Sequence, residues 1–444
     1  MQCSPSEALT IGSTDALAEK IRTRTARAGV IGLGYVGLPL AMELAEAGFS
    51  VLGFDTDPQK IGSLNGGISY IRDVDSEQVR LHTKGGRFQA SADFAAISEL
   101  DAVSIAVPTP LDRAKDPDMS FVIAAAEQVA RHLHPGMLII LESTTYPGTT
   151  EEVLLPLFES TGLKVGADFF LCFSPERVDP GNPDFRTRNI PKVIGGVTPS
   201  CTEVGKLFYA SALERVVTVS SSSAAEMVKI LENTFRMVNI GLVNELALIC
   251  DRMGINVWEV IDAAATKPFG YMPFYPGPGL GGHCIPIDPF YLAWKSRQLG
   301  VEARFIELAG AVNSYMPRHV VEKIQDALNV RGKPLRGAQI HVVGIAYKRD
   351  IEDIRESPAL DIIRLLEQKG ATVTYSDPYV PRIQLNGHSL LSCDLHDKAG
   401  TVDCVAIITN HSAIDYARLS DTAELIVDAR NAMKDYTSDN VVLI

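Results

Sequence analysis

The sequence predicts an α/β protein in which two doubly wound domains are joined by a central segment containing one long helix. Three observations support this fold class. A strand, a glycine-rich turn, a helix and a second strand ending in an acid follow one another from Ala28 to Asp55. The same order returns about 310 residues later, from Gln339 to Asp377. Between these stretches, a helical apolar pattern continues for about 30 residues.

Size and composition agree with this arrangement. A chain of 444 residues has room for two or three domains. Hydrophobic residues make up 46% and charged residues 21% of the chain, and the mean hydropathy is +0.09, as in an ordinary globular protein. The 41 basic and 54 acidic residues give a net charge of −13. Binding to nucleic acid or to a membrane surface is therefore not expected, and an anionic substrate would need local Lys and Arg side chains.

Cysteine usage and the absence of long apolar runs predict a cytoplasmic protein. The seven cysteines are scattered and never form a Cys-x-x-Cys pair, which predicts reduced thiols, with neither a zinc site nor disulfides. No apolar run approaches the ~18 residues needed to span a bilayer. Residues 1–27 lack the apolar core of a signal peptide and are interpreted as a polar N-terminal lead with at most one short helix.

The first domain, predicted over 28–215, begins with the fingerprint of a Rossmann dinucleotide-binding domain. Gly32 supplies a tight turn, Gly34 lets the backbone approach a pyrophosphate, and Gly37 lets the helix pack closely on the strand. The pyrophosphate then lies at the positive end of the helix. The cofactor contacts predicted from this motif are Gly32, Gly34, Tyr35, Val36 and Gly37.

The acid that ends the second strand predicts which cofactor is bound. Asp55 follows the glycines by about 20 residues and should accept hydrogen bonds from the adenosine ribose hydroxyls. Because it would repel a 2′-phosphate, NAD is favoured over NADP. Lys60 either approaches the ribose or is a solvated lysine at the start of a helix.

Three further predicted strands, at 102–107, 138–142 and 169–173, each lead into a polar or proline-containing loop. In a doubly wound sheet, ligands bind outside the carboxyl ends of the strands. Thr109, Thr144 and Glu176 follow these strands and are predicted to lie where nicotinamide and substrate meet. The alternative for each is a turn residue that hydrogen-bonds its own backbone.

The central segment, predicted over 216–330, contains a helix from about 223 to 254. Ser223 and Glu226 have the spacing of a capping box at its start. Its length of roughly 45 Å suits an inter-domain spine that also pairs with a second subunit. Lys229 and Asn233 share one face, where a cation and an amide can stabilise an oxyanion. The alternative for Lys229 is an ordinary exposed lysine.

The stretch from Gly279 to Pro289 predicts covalent chemistry. Its three glycines, at 279, 281 and 282, allow positive φ and the close approach of a ligand, and its prolines stiffen the loop. Cys284 should therefore be held in place, where its thiol can attack an aldehyde while Asp288 handles the proton. The alternative is a buried structural cysteine. In the preceding loop, Phe274 and Tyr275 either stack on a base or sugar or simply pack.

The third segment, predicted over 331–444, repeats the strand, turn, helix and strand of the first domain. Its turn, from Gly344 to Lys348, lacks the second and third glycines, which favours a nucleotide diphosphate over a second NAD. Lys348 and Arg355 supply the cations that such a ligand needs.

Four motifs together resemble those of the UDP-glucose/GDP-mannose dehydrogenase family. They are the glycine fingerprint, the stretch from Glu226 to Asn233, the stretch from Gly279 to Pro289, and the stretch from Lys348 to Pro358. The resemblance runs from about Ala28 to the C-terminus. Within the family, the sequence GGHCIPIDPFYL at 281–292 is similar to the branch that oxidises UDP-N-acetylglucosamine.

The resemblance implies an NAD domain, a central dimerisation domain and a UDP-binding domain, which together oxidise C6 of a UDP-hexose to the acid while two NAD are reduced. Cys284 would trap the aldehyde as a thiohemiacetal, which is oxidised to a thioester that water cleaves. Lys229 and Asn233 would stabilise oxyanions. Asp288 and Glu176 would manage protons and water, helped by Thr144.

The residues implied to contact the substrate are Glu176, Arg177, Lys229, Asn233, Lys267, Phe274, Tyr275, Gly281 and Lys348. Lys60, Thr109, Thr144 and Arg355 join the glycine motif and Asp55 as cofactor contacts. A homodimer formed through the central helix is expected, and no metal.

Several alternatives stay open. The sugar could be that of UDP-glucose, UDP-N-acetylgalactosamine or UDP-N-acetylmannosamine. A two-electron hydroxyacid dehydrogenase of similar architecture would use a helix lysine and would not need Cys284. A catalytically silent regulator would bind NAD without turnover.

Overall fold

The computed structural model describes residues 13–111, 116–179, 184–436 and 438–444. As the sequence predicts, the protein is of the α/β class, with two Rossmann-like sheets of mainly parallel strands and a long helix that lies between their sequences in the chain. The chain divides into two compact units, Met1–Glu232 and Asn233–Ile444. Of the N-terminal lead, 1–12 lie outside the described residues, and a helix begins at Ser13.

The first unit contains eight strands in its described part: β1 (Arg27–Ile31), β2 (Ser50–Phe54), β3 (Phe88–Ser91), β4 (Ala102–Ile105), β5 (Leu138–Leu141), β6 (Phe170–Phe173), β7 (Lys192–Gly196) and β8 (Val216–Thr218). Its helices are α1 (Ser13–Arg22), α2 (Gly37–Glu46), α3 (Pro58–Asn65), α4 (Ser76–Lys84), α5 (Ser120–Arg131), α6 (Leu155–Glu159) and α7 (Pro199–Ala210), with a 3₁₀ turn (Phe94–Glu99) and a π-helical turn (Thr150–Leu154). The long helix α8 (Ser222–Met253) contains the point at which the chain divides.

The strands of the first unit form one sheet in the order β3-β2-β1-β4-β5-β6-β7-β8. Neighbouring strands are parallel except β6 and β7, which are antiparallel. Apolar side chains fill both faces, since Phe170 and Phe208 belong to one buried cluster and Leu171 and Phe158 to the other. Burial on both faces explains why the central strands β4, β5 and β6 are buried along their whole length.

The strands of the second unit are β9 (Gln339–Val343), β10 (Thr372–Ser376), β11 (Arg382–Leu385), β12 (His388–Leu391), β13 (Cys404–Ile407), β14 (Ile426–Asp428) and β15 (Val441–Leu443). Its helices are α9 (Val257–Ala265), α10 (Asp288–Gln298), α11 (Arg304–Val330), α12 (Pro358–Gln368), α13 (Leu395–Ala399) and α14 (Tyr416–Thr422). Its sheet is parallel, with the order β10-β9-β13-β14-β15, and β11 and β12 form a separate hairpin.

The turn after the first strand of each sheet has the same construction. Gly32 has a φ of 91°, and a Cβ there would lie 2.5 Å from the carbonyl oxygen of Ala106. Gly344 has a φ of 84°, and its Cβ would lie 2.3 Å from the carbonyl oxygen of Thr409. Only glycine fits either position, because the conformation and the close backbone both exclude a side chain.

The capping box predicted at the start of α8 is wrong. The Glu226 carboxylate accepts hydrogen bonds from the amide of Gly148 (2.5 Å) and from the amide (2.8 Å) and hydroxyl (2.7 Å) of Thr150. The Ser223 hydroxyl donates to Glu151 instead. Gly148 and Thr150 lie at the start of the π-helical turn, where backbone amides have no partner within the turn. The almost fully buried Glu226 of α8 accepts hydrogen bonds from these amides.

None of the helices in the described residues combines the length and the apolar character that crossing a bilayer requires.

Candidate active site

The glycine motif has the geometry that a dinucleotide pyrophosphate needs. At Gly34, nothing lies within 4 Å of the position a Cβ would take, so the backbone is open to a ligand. A Cβ on Gly37 would lie 1.8 Å from the carbonyl oxygen of Gly32, so only glycine allows α2 to start there. Val36 precedes α2 directly, and Tyr35 is exposed. An open backbone at a helix N-terminus fits a bound pyrophosphate.

Asp55 lies at the end of β2, beside this turn, and its carboxylate is firmly oriented. Its Oδ2 accepts from the amide of Leu33 (3.1 Å) and its Oδ1 from the amide of Asp57 (3.0 Å). The Lys60 ammonium lies 3.3 Å from Oδ2, so this lysine is tied to the acid. The hydroxyl of Tyr70, which sequence reasoning missed, donates to the carbonyl of Leu33 (2.6 Å) and supports the same turn.

The structure brings together the carboxyl ends of the three strands that Thr109, Thr144 and Glu176 follow. Strands β4, β5 and β6 are neighbours, and their carboxyl ends lie at one edge of the sheet. Thr109 and Glu176 are buried there, and Thr144 is half-buried. The hydroxyl of Ser143 donates to the carbonyl of Val107 (2.8 Å) and joins the first two loops.

A buried lysine that sequence reasoning missed contacts Glu176. The Lys192 ammonium lies 3.1 Å from Oε2 of Glu176 and 2.5 Å from Oε2 of Glu142. The Tyr209 hydroxyl donates to the other oxygen of Glu142. The signal available in the sequence was a single lysine directly before an apolar run, Val-Ile-Gly-Gly, which became β7.

Glu142, Glu176 and Lys192 shift one another's pKa values. Burial raises the pKa of the Glu142 carboxyl, and Lys192 only partly offsets this effect. Burial also acts to raise the pKa of Glu176, but Lys192 and the amides of Val178 and Arg177 outweigh it, so the pKa of Glu176 is lowered. The two carboxylates raise the pKa of Lys192 despite its burial. Glu176 is therefore an anion paired with a cation.

Arg177 is bound within the first unit. Its guanidinium donates to Glu232 through Nε (3.2 Å) and Nη2 (2.6 Å), and to the carbonyl of Pro191 through Nη1 (2.7 Å). This two-point pair joins the loop after β6 to α8. A direct substrate contact by Arg177 would have to break this pair or share its donors.

Lys229 is buried, with 9% of its surface exposed, so the alternative of an ordinary surface lysine is wrong. It lies on α8 midway between Glu226, which binds the loop after β5, and Glu232, which binds Arg177. A buried cation on an anchored helix turn can interact strongly with an oxyanion.

The cysteine loop presents its thiol. Cys284 is exposed, so the alternative of a buried structural cysteine is wrong. Its carbonyl accepts from the amides of Ile287 (3.2 Å) and Asp288 (2.8 Å), which forms the turn leading into α10. Asp288 is buried at the first position of α10, and its Oδ2 accepts from the amide side chain of Asn233 (2.6 Å).

The three glycines of this loop have different functions. Gly279 and Gly282 have positive φ (133° and 85°), as expected. Gly281 does not, and a Cβ there would lie 2.5 Å from Cβ of Tyr347 and 2.9 Å from the carbonyl oxygen of Glu356. The close approach that requires glycine at 281 is therefore that of the protein's own chain, whereas the sequence had suggested a ligand.

The segment 347–356, which packs against Gly281, contains two residues that were predicted to bind ligands, Lys348 and Arg355. Lys348 is half-buried and Arg355 is exposed, with its guanidinium 2.6 Å from Asp353. The carbonyl of Arg355 accepts from the amide of Gly282 (2.9 Å), so this segment lies directly against the cysteine loop.

The acid of the second turn, Asp377, is used differently from Asp55. Its Oδ2 accepts from the amides of Ile345 (2.6 Å) and Ala346 (3.1 Å) and lies 3.0 Å from Nε2 of His411. His411 was missed because it lies in a loop after β13 without a recognisable motif.

The aromatic loop before Gly279 packs on helices. The ring of Phe274 lies edge-on to Phe235, with 5.7 Å between the ring centroids. Tyr275 stacks on Trp258 at 5.7 Å, and its hydroxyl donates to Asp262 (2.7 Å). The packing alternative is thus favoured for both residues. Lys267 is exposed, with its ammonium 5.2 Å from the centroid of the Phe269 ring.

Comparison with known proteins finds one family. Three models of the UDP-glucose/GDP-mannose dehydrogenase family match: the NAD binding domain at residues 26–213, the central domain at 223–315 and the UDP binding domain at 341–435.

Two curated relatives and one solved structure show the extent of the similarity. The chain is 36% identical over 356 residues to a UDP-N-acetyl-D-glucosamine 6-dehydrogenase from Pseudomonas aeruginosa, covering 80% of this chain and 83% of that protein. It is 40% identical over 351 residues to a UDP-N-acetyl-D-mannosamine dehydrogenase from Yersinia pestis, covering 76% and 82%. The structure of a UDP-D-ManNAc dehydrogenase from Pyrococcus horikoshii matches with a TM-score of 0.86 at 32% identity, covering 94% of this chain and 98% of that one.

The glycine turn with Asp55, the exposed Cys284 with Asp288, and these three matching domains lead to one conclusion: the chain belongs to the UDP-glucose/GDP-mannose dehydrogenase family and is an NAD-binding oxidoreductase of UDP-sugars.

Proposed function

We propose that the protein oxidises the C6 alcohol of a UDP-N-acetylhexosamine to the uronic acid and reduces two NAD per sugar. UDP-N-acetylglucosamine is the first candidate, supported by the sequence at 281–292 and by the Pseudomonas aeruginosa relative. UDP-N-acetylmannosamine is the second, supported by the relative from Yersinia pestis and by the structure from Pyrococcus horikoshii.

One observation carries the four-electron reaction. The exposed Cys284 is joined through a single backbone turn to the buried Asp288, which is oriented by Asn233. A two-electron dehydrogenase needs a helix lysine and a hydride acceptor, and a presented thiol would have no function in it. A thiol beside a held carboxylate suits an enzyme that must keep an aldehyde bound for a second oxidation.

The reaction has four steps. NAD, when bound, accepts a hydride in each of the two oxidations. In the first oxidation, C6 loses a hydride and its hydroxyl loses a proton to Asp288, which gives the aldehyde. The Cys284 thiol adds to C6 and its proton passes to the aldehyde oxygen, which gives a thiohemiacetal. C6 then loses a second hydride and the hydroxyl loses its proton, which gives a thioester. Water adds to C6 and the C–S bond breaks, so that one proton from water restores the thiol and the other is released with the carboxylate.

The other site residues would act on charge and water. Lys229 and Asn233 stabilise the oxyanions formed at C6, and Thr144 and Glu176 position the hydrolytic water. Cofactor contacts are assigned to the glycine turn, Asp55, Lys60 and Thr109. We assign the functional domains to 28–215 (NAD), 216–330 (central) and 331–444 (UDP), with Lys348 and Arg355 supplying positive charge in the last.

We also propose that the protein is a homodimer paired through α8. Five apolar side chains on this helix are 41–64% exposed, at positions spaced by seven, four, three and four residues: Phe235, Leu242, Leu246, Ile249 and Met253. This spacing puts them on one stripe. A second copy of the same helix, running across this one, is the partner that an apolar stripe of this length fits.

Counting NADH tests the proposal. We expect two NADH per sugar, whereas a count of one would remove the thioester mechanism and favour a hydroxyacid-type dehydrogenase. NAD binding without turnover on any UDP-sugar would instead favour a regulator. A panel of UDP-sugars, with the products weighed by mass spectrometry, then separates the glucosamine from the mannosamine candidate.

Replacing Cys284 tests its role. Cys284→Ser should abolish net acid formation and leave NAD affinity within about threefold, because NAD contacts are assigned to other residues. Cys393→Ser is the matched control, since Cys393 is half-buried and only donates to the carbonyl of Tyr375. Acid formation at a near wild-type rate by Cys284→Ser would show that the cysteine is misassigned.

A further inference from the structure

Pro191 and Lys192, at the start of β7, bind two consecutive residues of the loop after β6, Arg177 and Glu176. The Lys192 ammonium binds Oε2 of Glu176 (3.1 Å), and the carbonyl of Pro191 accepts from the guanidinium of Arg177 (2.7 Å). The remaining oxygen of Glu176 accepts from the amides of Arg177 (2.8 Å) and Val178 (2.9 Å). Both carboxylate oxygens are therefore fixed, one by an ammonium and one by backbone.

The ammonium that binds Glu176 is itself held on its other side. Lys192 is 4% exposed and lies 2.5 Å from Glu142, which also accepts from the Tyr209 hydroxyl. Its position is thus set from β5 and α7, independently of Glu176. A lysine buried to this extent is rarely found without a structural or functional reason.

We propose that Lys192 is a positioning residue that keeps Glu176 ionised and in one orientation for the hydrolysis of the thioester. This inference rests on the proposed function, in which Glu176 acts on the hydrolytic water. Under it, Glu176 is a fixed hydrogen-bond acceptor that orients the water and does not itself become protonated at working pH.

The groups around Glu176 indicate what the loss of Lys192 would do. Glu142 shares the Lys192 ammonium with Glu176, the Tyr209 hydroxyl donates to Glu142, and Arg177, the next residue in the chain, is paired with Glu232. Burial acts to raise the pKa of Glu176, and Lys192 is the largest opposing influence. Without Lys192, the effect of burial on Glu176 would lose its largest opponent, and the pKa of Glu176 would rise.

The test is the pH dependence of acid formation in Lys192→Met and Lys192→Arg. Lys192→Met should gain an acidic limb that begins at a higher pH than any in wild type, and along this limb kcat should fall about tenfold for each unit of pH, since each unit below the pKa of a carboxyl lowers its ionised fraction about tenfold. Lys192→Arg should follow the wild-type profile. Adding Glu176→Gln to Lys192→Met should remove the limb, because no carboxyl is left to titrate there.

If Lys192 only stabilises the fold, its replacement gives a different pH profile. The inference is overturned if Lys192→Met lowers kcat by the same factor at every pH. Should Lys192→Met not fold, as judged by circular dichroism and NAD binding, Lys192→Met combined with Glu142→Gln leaves a single buried carboxylate and carries the same prediction. The NADH count of the wild-type enzyme tests the proposed function separately, before any Lys192 variant is made.

Discussion

The side-chain amide of Asn233 donates a hydrogen bond to Oδ2 of Asp288 over 2.6 Å, between residues that are 55 positions apart in the chain. A primary amide has two N–H groups, so Asn233 can orient the carboxylate and still donate to an oxyanion. This pair joins the residue proposed to take up protons to a residue proposed to stabilise negative charge.

Asn233→Ala tests this pair. The variant leaves a buried carboxylate without its amide donor, so we expect a loss of about 1–3 kcal/mol in the free energy of unfolding and a fall in kcat of about 100-fold. Asn239→Ala is the matched control on the same helix, since the Asn239 amide donates to the carbonyl of Phe235, one turn earlier, in a solvent-exposed hydrogen bond. Equal kinetic effects in the two variants would contradict a specific role for Asn233.

Asp55→Asn tests the choice of cofactor. The Asp55 carboxylate accepts from two backbone amides, one at each oxygen, and an Asn side chain has a single oxygen that keeps one of these two hydrogen bonds. The neutral side chain also loses the negative charge that repels a 2′-phosphate. We expect NAD affinity to fall about tenfold and the preference over NADP to shrink by a similar factor. Asp57→Asn is the control, because the Asp57 side chain caps α3 by accepting from the amide of Gln59, and Asn caps equally well. Titration calorimetry with NAD and with NADP measures the two affinities. An unchanged preference for NAD over NADP in Asp55→Asn would refute the assignment of Asp55 to the adenosine ribose.

Glu226→Gln tests a pH effect on stability. Burial, partly offset by its hydrogen bonds to Thr150 and Gly148, raises the pKa of Glu226 to about 7 from 4.5. The folded protein therefore binds more protons here than the unfolded chain between about pH 4.5 and about pH 7, so stability falls as pH rises through this window. The shift corresponds to about 3 kcal/mol.

Urea unfolding across this pH range gives the measurement for Glu226. The wild-type free energy of unfolding should decrease with pH relative to Glu226→Gln, which cannot titrate. Thr150→Val should move the window to higher pH, because the Thr150 hydroxyl lowers the pKa of Glu226. A difference between wild type and Glu226→Gln that stays constant with pH would show that the carboxyl remains ionised throughout.

Leu246→Asp tests the proposed dimer. Leu246 lies in the middle of the exposed apolar stripe on α8 and is 41% exposed, so the charge should leave folding intact and weaken self-association by about 100-fold or more. Leu391→Asp is the control, since Leu391 is more exposed (64%) but belongs to the β11–β12 hairpin. Sedimentation velocity over a range of concentrations distinguishes the two; dimers of equal strength in both variants would exclude the stripe as the interface.

Local chemistry made several elements readable from the sequence. The apolar runs at 102–107 and 138–142 became β4 and β5, and Gly32, predicted to make a tight turn, has a positive φ. Helix α12 begins after Ser357, whose hydroxyl accepts from the amide of Ala359, and has a proline at its first position. In each case the determining forces act within a few residues, through turn conformation, capping or side-chain periodicity.

The sequence by itself determined the fold class, the dinucleotide turn with Asp55, and the stretch that presents Cys284. Only the tertiary structure decided which partner each buried charge has: Lys192 for Glu176, Gly148 and Thr150 for Glu226, and Asn233 for Asp288. The physical reason is that a charge taken out of water must be met by donors or counter-charges, and these come from segments 16 to 78 residues away. Sequence spacing carries no record of such pairs, because they form only when strands and helices pack.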